Sequence, residues 1–167
     1  MTRGFTLVEL LVVFVILGLL ASMAFLPPGR QREKLELDVA LRLLRLGLDR
    51  GRMAAERQAE PCGLSLGPDG WQPPRHGSLP ACQAGVTRLS ETAESQVELR
   101  SNLPELVRFT ANGLLLDGGL VVLRHPRLER ALCLVVSLPL GISRTGDYDA
   151  DPNVALRSSY CQPRDEA

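Results

Sequence analysis

Met1-Thr-Arg-Gly-Phe-Thr-Leu-Val-Glu9 leads directly into an apolar stretch that extends to Leu26, and this junction decides the architecture of the chain. Beyond the acid the stretch carries no charged residue, and only Gly18 and Ser22 interrupt its apolar character. A helix over residues 5–26 would be roughly 33 Å long, which is enough to cross a hydrocarbon core of about 30 Å. The sequence therefore predicts a transmembrane helix at 5–26.

A cleaved secretory signal peptide is the alternative interpretation of this segment. Such a leader has a shorter apolar region of about 7 to 15 residues and ends at a small-residue cleavage site. Here the apolar region is longer, and the following Phe25-Leu-Pro-Pro-Gly29 lacks such a site. Glu9 also argues against it, because an acid in a membrane costs about 2.5 to 3.5 kcal/mol at mid-depth and usually has a partner. The expected partner is an amino group exposed by cleavage just before Phe5.

The stretch Arg3-Gly-Phe-Thr-Leu-Val-Glu-Leu-Leu11 resembles the class III signal of type IV pilins and type II secretion pseudopilins. In that family a prepilin peptidase cuts after the glycine, the new amino-terminal residue is N-methylated, and the acid at the fifth mature position guides assembly. The resemblance implies cleavage between Gly4 and Phe5, methylation of Phe5, and pairing of Glu9 with the amine of a neighbouring pilin or pseudopilin. Helices in lipid gain little from hydrophobic association, so such a charge pair can set their axial register.

The charge of the leader predicts the orientation of the chain. Arg3 lies on the uncleaved side of the junction, and the positive-inside tendency keeps it cytoplasmic. We therefore expect a single-pass inner-membrane protein with its carboxyl-terminal part in the periplasm. The predicted segments are a leader at 1–4, the transmembrane helix at 5–26, the periplasmic half of a long helix at 27–59, and a β-rich head at 60–167.

A second helical pattern follows Pro27-Pro28-Gly29, which breaks or kinks the chain, and it extends over residues 30–59. Apolar side chains recur there at steps of three, four and five residues, with charged residues largely between them. They are Leu37, Leu41, Leu44, Leu48 and, less strictly, Met53. Such an amphipathic helix can lie on a membrane surface, but the favoured interpretation is a helix on which a periplasmic sheet packs.

Beyond Pro61 the pattern changes to short strands and turns. Residues 62–66 and the following Gly67-Pro-Asp-Gly70 predict a strand and a turn, after which Trp71 resumes pairing. Residues 72–95 are rich in Pro, Gly and polar residues and predict a long loop. Five further strand candidates, expected to form one antiparallel meander over the helix, are 97–100, 107–110, 114–116, 120–124 and 131–138.

Four cysteines lie beyond the apolar segment, at Cys62, Cys82, Cys133 and Cys161. In an oxidising compartment they can form two disulfides, in any of three connectivities. Sequence order favours Cys62 with Cys82, which would close the Pro-rich loop, and Cys133 with Cys161, which would tie the tail to a strand. The spacings contain no CxxC and no histidine pattern, so no zinc site is predicted.

The second half of the chain resembles a narrower group, which joins the H-type pseudopilin of type II secretion to the FimT-type minor pilins. The similar segments are Val107-Arg-Phe-Thr-Ala-Asn-Gly113, Leu132-Cys-Leu-Val-Val-Ser137 and Gly141-Ile-Ser-Arg144. In that group an F-x-x-x-G turn and a strand ending in Ser precede a Gly-Arg-x-Arg-like segment. Here Ile142 stands where the group has the first Arg.

FimT-type minor pilins are linked by family to DNA binding through basic residues near that last motif. The candidates that the resemblance implies are Arg144, Arg157 and Arg164, and a second basic cluster comprises Arg124, His125, Arg127 and Arg130. Contacts of this kind would be made to phosphates. The alternative is a solvated surface, because Asp147, Asp149 and Asp151 lie among these arginines. The 19 basic and 19 acidic side chains of the chain cancel, so no overall attraction for nucleic acid follows.

Asp147-Tyr-Asp-Ala-Asp151 suggests calcium, since alternating Asp side chains on a loop can gather oxygen ligands. An EF-hand loop would have Gly and Glu where this chain has Pro152 and Ser158, so a polar surface turn is favoured. No nucleophile, base and orienting acid occur together at a recognisable spacing. We therefore predict no enzyme activity, no cofactor and no metal.

Together these patterns predict an α+β, pilin-like protein with a long amino-terminal helix packed against a small antiparallel β-sheet head. The favoured function is that of a minor pseudopilin in the type II secretion pseudopilus, processed by prepilin peptidase. The alternative is a FimT-type minor pilin of a type IV pilus that binds DNA during uptake. The interpretation outside the family is a bitopic or secreted protein whose amino terminus resembles a prepilin by accident.

Overall fold

The computed structural model describes residues 6–24, 29–89, 96–138, 140–151 and 153–164. Two compact units make up the chain, residues 1–32 and residues 33–167. The first unit contains helix α1, which spans Leu7–Ala24. The second contains most of helix α2, which packs against antiparallel sheets. The predicted α+β architecture is confirmed. The predicted break at Pro27 and Pro28 lies outside the described residues.

Helix α2 spans Gly29–Gln58, which is one residue earlier at each end than predicted. Leu37, Leu41, Leu44 and Leu48 are buried, as the periodicity indicates. The inclusion of Met53 in this face was wrong, since its side chain is 42 % exposed. A step of five residues turns a helix by roughly 500°, which carries Met53 away from the core side. Small residues continue the buried face instead, namely Gly51, Ala54 and Ala55.

The described residues contain nine strands after α2. They are β1 (Cys62–Gly67), β2 (Gly70–Gln72), β3 (Thr87–Arg88), β4 (Glu98–Ser101), β5 (Val107–Phe109), β6 (Gly119–Arg124), β7 (Ala131–Ser137), β8 (Ile142–Tyr148) and β9 (Cys161–Pro163). The predicted single meander is wrong, because these strands form two sheets with the orders β3-β2-β1-β5 and β4-β6-β7-β8-β9. Strand β5 leaves the sequential order to pair with β1, placing Cys62 opposite Phe109.

Some strands differ from the prediction. Residues 114–116 form only an isolated bridge between Phe109 and Leu115 and not a strand. Strand β3 lies within the stretch predicted as a loop, and β8 and β9 were not predicted. Strand β8 reads Ile-Ser-Arg-Thr-Gly-Asp-Tyr, whose few apolar side chains give no hydrophobic run. It forms because β7 offers it seven consecutive partner residues, from Ala131 to Ser137.

Strands β6 and β7 are buried on both faces of the second sheet. Val121, Leu123, Leu132, Leu134 and Val136 belong to the main core with the apolar side chains of α2. Because successive side chains point to opposite faces, their neighbours form a second cluster on the other side. Its members are Leu120, Val122, Ala131, Cys133, Val135, Tyr148 and Cys161, with Ala150 and Leu156 packed against them. The carboxyl-terminal segment therefore covers the sheet face that α2 leaves open.

Two disulfides cross-link the head. Cys62 on β1 is bonded to Cys82, and Cys133 on β7 is bonded to Cys161 on β9, the two pairs that sequence order favours. The second bond passes across β8, where Gly146 lies opposite Cys133. A Cβ atom at Gly146 would overlap the carbonyl group of Gln162. The absence of a side chain there lets β9 fold closely over β8 and brings the two cysteines together.

Helix α2 contacts the first sheet at Gly47, which has no side chain. The indole Nε1 of Trp71 donates to the carbonyl oxygen of Leu44 at 2.8 Å, and the hydroxyl of Thr87 donates to that of Leu43 at 3.3 Å. A Cβ atom at Gly47 would overlap the Trp71 ring and lie 2.9 Å from the carbonyl oxygen of Gly85. Close approach of the sheet to the helix backbone therefore requires glycine at position 47.

We expect Gly47→Ala to lower the free energy of unfolding of the head by about 1–3 kcal/mol, because overpacking at this contact outweighs the gain in helix propensity. The fluorescence of Trp71, the one tryptophan of the sequence, reports unfolding in denaturant. Gly29→Ala is the matched control in the same helix, since nothing lies within 4 Å of its Cβ position. Equal stability of the two variants would contradict the packing argument.

An ion pair fixes the loop that follows β5. The Nε and Nη2 atoms of Arg108 donate to the carboxylate of Asp117 at 2.8 Å, and the backbone nitrogen of Arg108 also donates to it at 3.0 Å. The Asp117 side chain is only 12 % exposed. The hydrogen bonds from Arg108 lower the pKa of Asp117, and the carboxylate in turn raises the pKa of Arg108.

Because the folded-state pKa of Asp117 lies below its ordinary value of 3.8, the ion pair stabilises the head above that pH. This contribution is lost as the pH falls through the folded-state pKa. We expect Asp117→Asn to reduce the unfolding free energy at neutral pH, and the difference from the wild type to shrink in acid. Denaturant unfolding at several pH values measures it, with the exposed Asp149→Asn as control. A difference that is independent of pH would count against the assignment.

Candidate functional site

The side chain of Thr6 caps the start of the amino-terminal helix. The hydroxyl of Thr6 accepts a hydrogen bond from the backbone nitrogen of Glu9 at 3.3 Å, and the carbonyl oxygen of Thr6 accepts one from Leu10 at 3.2 Å. Thr6-Leu-Val-Glu9 has the spacing of a capping box, in which the acid occupies the third helical position. This role of Thr6 was missed, although the Thr-x-x-Glu pattern could have shown it. Gly4 and Phe5, the predicted cleavage and methylation residues, lie outside the described residues.

Apart from Glu9 and Gly18, the described side chains of α1 are apolar on every side, and they are exposed. From Leu7 to Leu20 the exposed fractions of the large apolar side chains run from 48 % at Val13 to 79 % at Leu7. A helix that is apolar all round requires a lipid or protein environment over its whole surface. Glu9 is exposed among these side chains and is the one acidic residue of the helix.

In the part of the chain that the structure describes, no helix combines the length and the apolar character needed to cross a membrane. The predicted span 5–26 includes Phe5, Phe25 and Leu26, which lie outside that part.

Helix α2 carries a second apolar stripe, on the side turned away from the core, which the sequence analysis missed. Leu35 is 64 % exposed and Val39 and Met53 are each 42 % exposed, while Leu46 is half-buried. The spacings of four and seven residues place these side chains on one side of a helix. The signal was present in the sequence, but the stronger leucine periodicity of the core face concealed it.

The structure gives the three arginines proposed for DNA contact two different environments. Arg144 and Arg157 are both exposed near the carboxyl-terminal segment, where Arg144 donates to the carbonyl oxygen of Ser158 at 3.4 Å. Arg164, in contrast, is held between two carboxylates. It donates to Asp38 of α2 at 3.0 Å and to Asp147 of β8 at 3.3 Å. Arg164 therefore links the end of the chain to the helix.

Asp147 lies at the centre of this charged cluster. Arg130 donates to both of its carboxylate oxygens, and Arg164 donates to one. The hydrogen bonds from Arg130 are the main cause of the lowered pKa of Asp147, although partial burial opposes them. The carboxylate raises the pKa of Arg130 in return. The cluster holds the turn before β7, strand β8 and the tail together.

The second basic cluster does not form a free cationic surface. Arg127 forms an ion pair with the nearly buried Glu33 of α2 at 3.1 Å, and Arg130 is bound to Asp147. His125 is buried, and its Nδ1 accepts a hydrogen bond from the backbone nitrogen of Arg127 at 3.2 Å. Two of the four residues are thus held by acids and a third is inside the head.

The Asp-rich segment has no calcium-binding geometry. Asp147 faces arginines, and a carboxylate oxygen of Asp151 accepts a hydrogen bond from the backbone nitrogen of Asn153 at 2.8 Å. Pro152 lies outside the described residues. Among the described side chains, no group of three or more His, Cys, Asp or Glu residues is placed to hold a metal ion.

Comparison with known protein families gives a match at the amino terminus. Residues 1–25 match the family model of the prokaryotic N-terminal methylation motif. No curated protein and no solved structure matches the chain.

The match includes Gly4 and Phe5, between which cleavage is predicted, and Glu9, the predicted assembly acid. Such a motif suggests membrane anchoring and implies processing by prepilin peptidase and assembly with other pilins. It also suggests a structural role and not an enzymatic one. Residues 1–25 thus carry the methylation motif that is typical of type IV pilin-like proteins.

Proposed function

We propose that this chain is a minor pseudopilin, a structural subunit of the type II secretion pseudopilus. One observation carries the proposal: Glu9 is exposed at the start of a helix whose described side chains are apolar on all sides. A single acid in such a setting requires a partner of opposite charge. The amine of Phe5 in a neighbouring subunit, released by cleavage after Gly4 and then methylated, supplies that partner.

The proposed location is the inner membrane, with residues 5–26 as the anchor and the head in the periplasm. The two disulfides support this location, because such bonds persist in oxidising compartments and are rare in the cytosol. The head then faces the compartment in which secreted proteins await export.

The outward stripe of α2 supports assembly beyond the membrane. Leu35, Val39 and Met53 leave aliphatic surface exposed on the side of the helix that the sheets do not cover. A helix of a monomeric head needs one apolar face, and a second one is explained by contact with other subunits. Arg42, Asp49 and Arg50 flank this stripe and are exposed, so neighbouring charges can select the partner.

A FimT-type minor pilin that binds DNA is the second candidate, and the proximity of Arg144 and Arg157 favours it. Two exposed guanidinium groups near one segment can bind successive phosphates. Opposing it, Arg164, Arg127 and Arg130 are all held by carboxylates. Binding of DNA by the full-length chain that weakens steeply with salt would distinguish this function from a purely structural one.

We expect the wild-type protein from native membranes to begin at N-methylated Phe5, and Gly4→Leu to accumulate as the uncut precursor. A larger side chain at position 4 would obstruct the peptidase at the junction. Intact-mass analysis with amino-terminal sequencing measures both. Gly18→Ala is the control, because nothing lies within 4 Å of its Cβ position. A wild-type chain that starts at Met1, or beyond Leu26, would refute the proposal.

We expect Glu9→Ala to be cleaved and folded normally but to be lost from sheared filament fractions, because the charge pair that sets helix register is removed. The ratio of filament-bound to membrane-bound protein measures this loss. Glu36→Ala, which removes an acid from α2, is the matched control. Incorporation of both variants at the wild-type level would exclude an assembly role for Glu9.

A further inference from the structure

A cavity of about 490 Å³ lies on the face of the second sheet that is turned away from α2. It opens where strands β6 and β7 meet the carboxyl-terminal segment. Leu120 and Val135 line it from the sheet, and Leu156 lines it from the segment. The exposed side chains of Ser137, Arg157 and Ser159 also line it. Its volume lies in the range of small-ligand sites, and its lining contains both apolar and polar groups.

The wall that carries Arg157 is fixed from several sides. The backbone nitrogen of Arg157 donates to the phenol oxygen of Tyr148 at 3.3 Å, and its carbonyl oxygen accepts from Tyr160 at 3.2 Å. The next residue after Tyr160 is Cys161, which is bonded to Cys133 of β7. The backbone at Arg157 is therefore held in place before any ligand arrives, which reduces the entropy lost on binding.

The charge of the cavity is positive. Arg157 lines it, and Arg144 lies beside it, since its guanidinium donates to the backbone of the lining residue Ser158. None of the described residues that line the cavity carries a carboxylate. Asp147, on the same strand as Arg144, is occupied by Arg130 and Arg164. The cavity therefore favours an anionic ligand that also has an apolar part.

We infer that this cavity binds the carboxyl terminus of a polypeptide that ends in an aliphatic residue. Arg157 pairs with the terminal carboxylate, a charge-assisted contact that a planar guanidinium makes well. The hydroxyls of Ser137 and Ser159 bond the last peptide groups, and Leu120, Val135 and Leu156 contact the aliphatic side chain. A nucleic acid would place flat bases against this lining, which offers no aromatic ring for stacking.

This inference goes beyond the filament role and does not depend on it. A cavity that binds a chain terminus would let the head recognise a soluble protein or another subunit, whether or not Glu9 acts in assembly. If the filament role is refuted, the binding of a chain terminus is unaffected, and the reverse also holds. The reason is that terminus binding is measured on the intact protein without filaments.

The test uses the full-length protein in detergent micelles and a fluorescent peptide, Gly-Ser-Ala-Val-Leu, with a free carboxyl terminus. Fluorescence anisotropy measures its affinity, and the same peptide with a terminal amide is the matched probe. We expect saturable binding of the acid, roughly tenfold weaker binding of the amide, and a similar loss with Arg157→Gln. Ser137→Phe, at an exposed position, fills the cavity and abolishes binding.

Arg88→Gln is the control variant, because Arg88 is an exposed arginine on the first sheet. Near-ultraviolet circular dichroism of the tyrosines and Trp71 verifies that each variant is folded. Equal affinity for acid and amide, no saturable binding of the acid, or equal losses with Arg88→Gln and Arg157→Gln would overturn the inference. Binding of single-stranded DNA through Arg157, without peptide binding, would overturn it in favour of nucleic acid.

Discussion

The head depends on the close contact between the backbone of α2 and the first sheet. Trp71 donates to a carbonyl oxygen in the middle of the helix, and this approach is allowed because Gly47 has no side chain. The contact fixes both the distance and the rotation of the helix. Once that rotation is set, Leu37, Leu41, Leu44 and Leu48 face the core, and Leu35, Val39 and Met53 face outward. The close contact that turns the buried leucines toward the core therefore also turns the outward stripe away from it.

The second sheet must bury apolar side chains on both of its faces. Its central strands β6 and β7 have apolar side chains on both faces, and α2 covers only one of them. The tail returns across the other face and is held by the Cys133–Cys161 bond and by the ion pairs of Arg164. Arg130, Asp147 and Arg164 thus help to hold the tail, whereas Arg144 and Arg157 are exposed at the cavity.

Much of this arrangement could be predicted from the sequence, for identifiable reasons. The leucine period from Leu37 to Leu48 and the continuous apolar runs of β6 and β7 are strong local signals, and both were read correctly. The polar strand β8 and the short β9 could not be found in this way, because their pairing is imposed by β7 and by a disulfide. The division into two sheets depends on β5 pairing with β1, a contact between distant parts of the chain. At the candidate sites, the sequence identified Glu9 and the arginines, but it could not show which arginines are held by acids.

The connectivity of the two disulfides has a consequence for how the head matures. Each bond joins cysteines that are consecutive among the four, Cys62 with Cys82 and Cys133 with Cys161. If residues 5–26 stay in the membrane and the rest of the chain emerges in sequence order, Cys82 meets Cys62 as the only thiol already outside. Cys161 then meets Cys133 in the same way, because the first two cysteines are already bonded to each other. Export in this direction can therefore yield the native cross-links in order of emergence, without reshuffling of a mispaired intermediate.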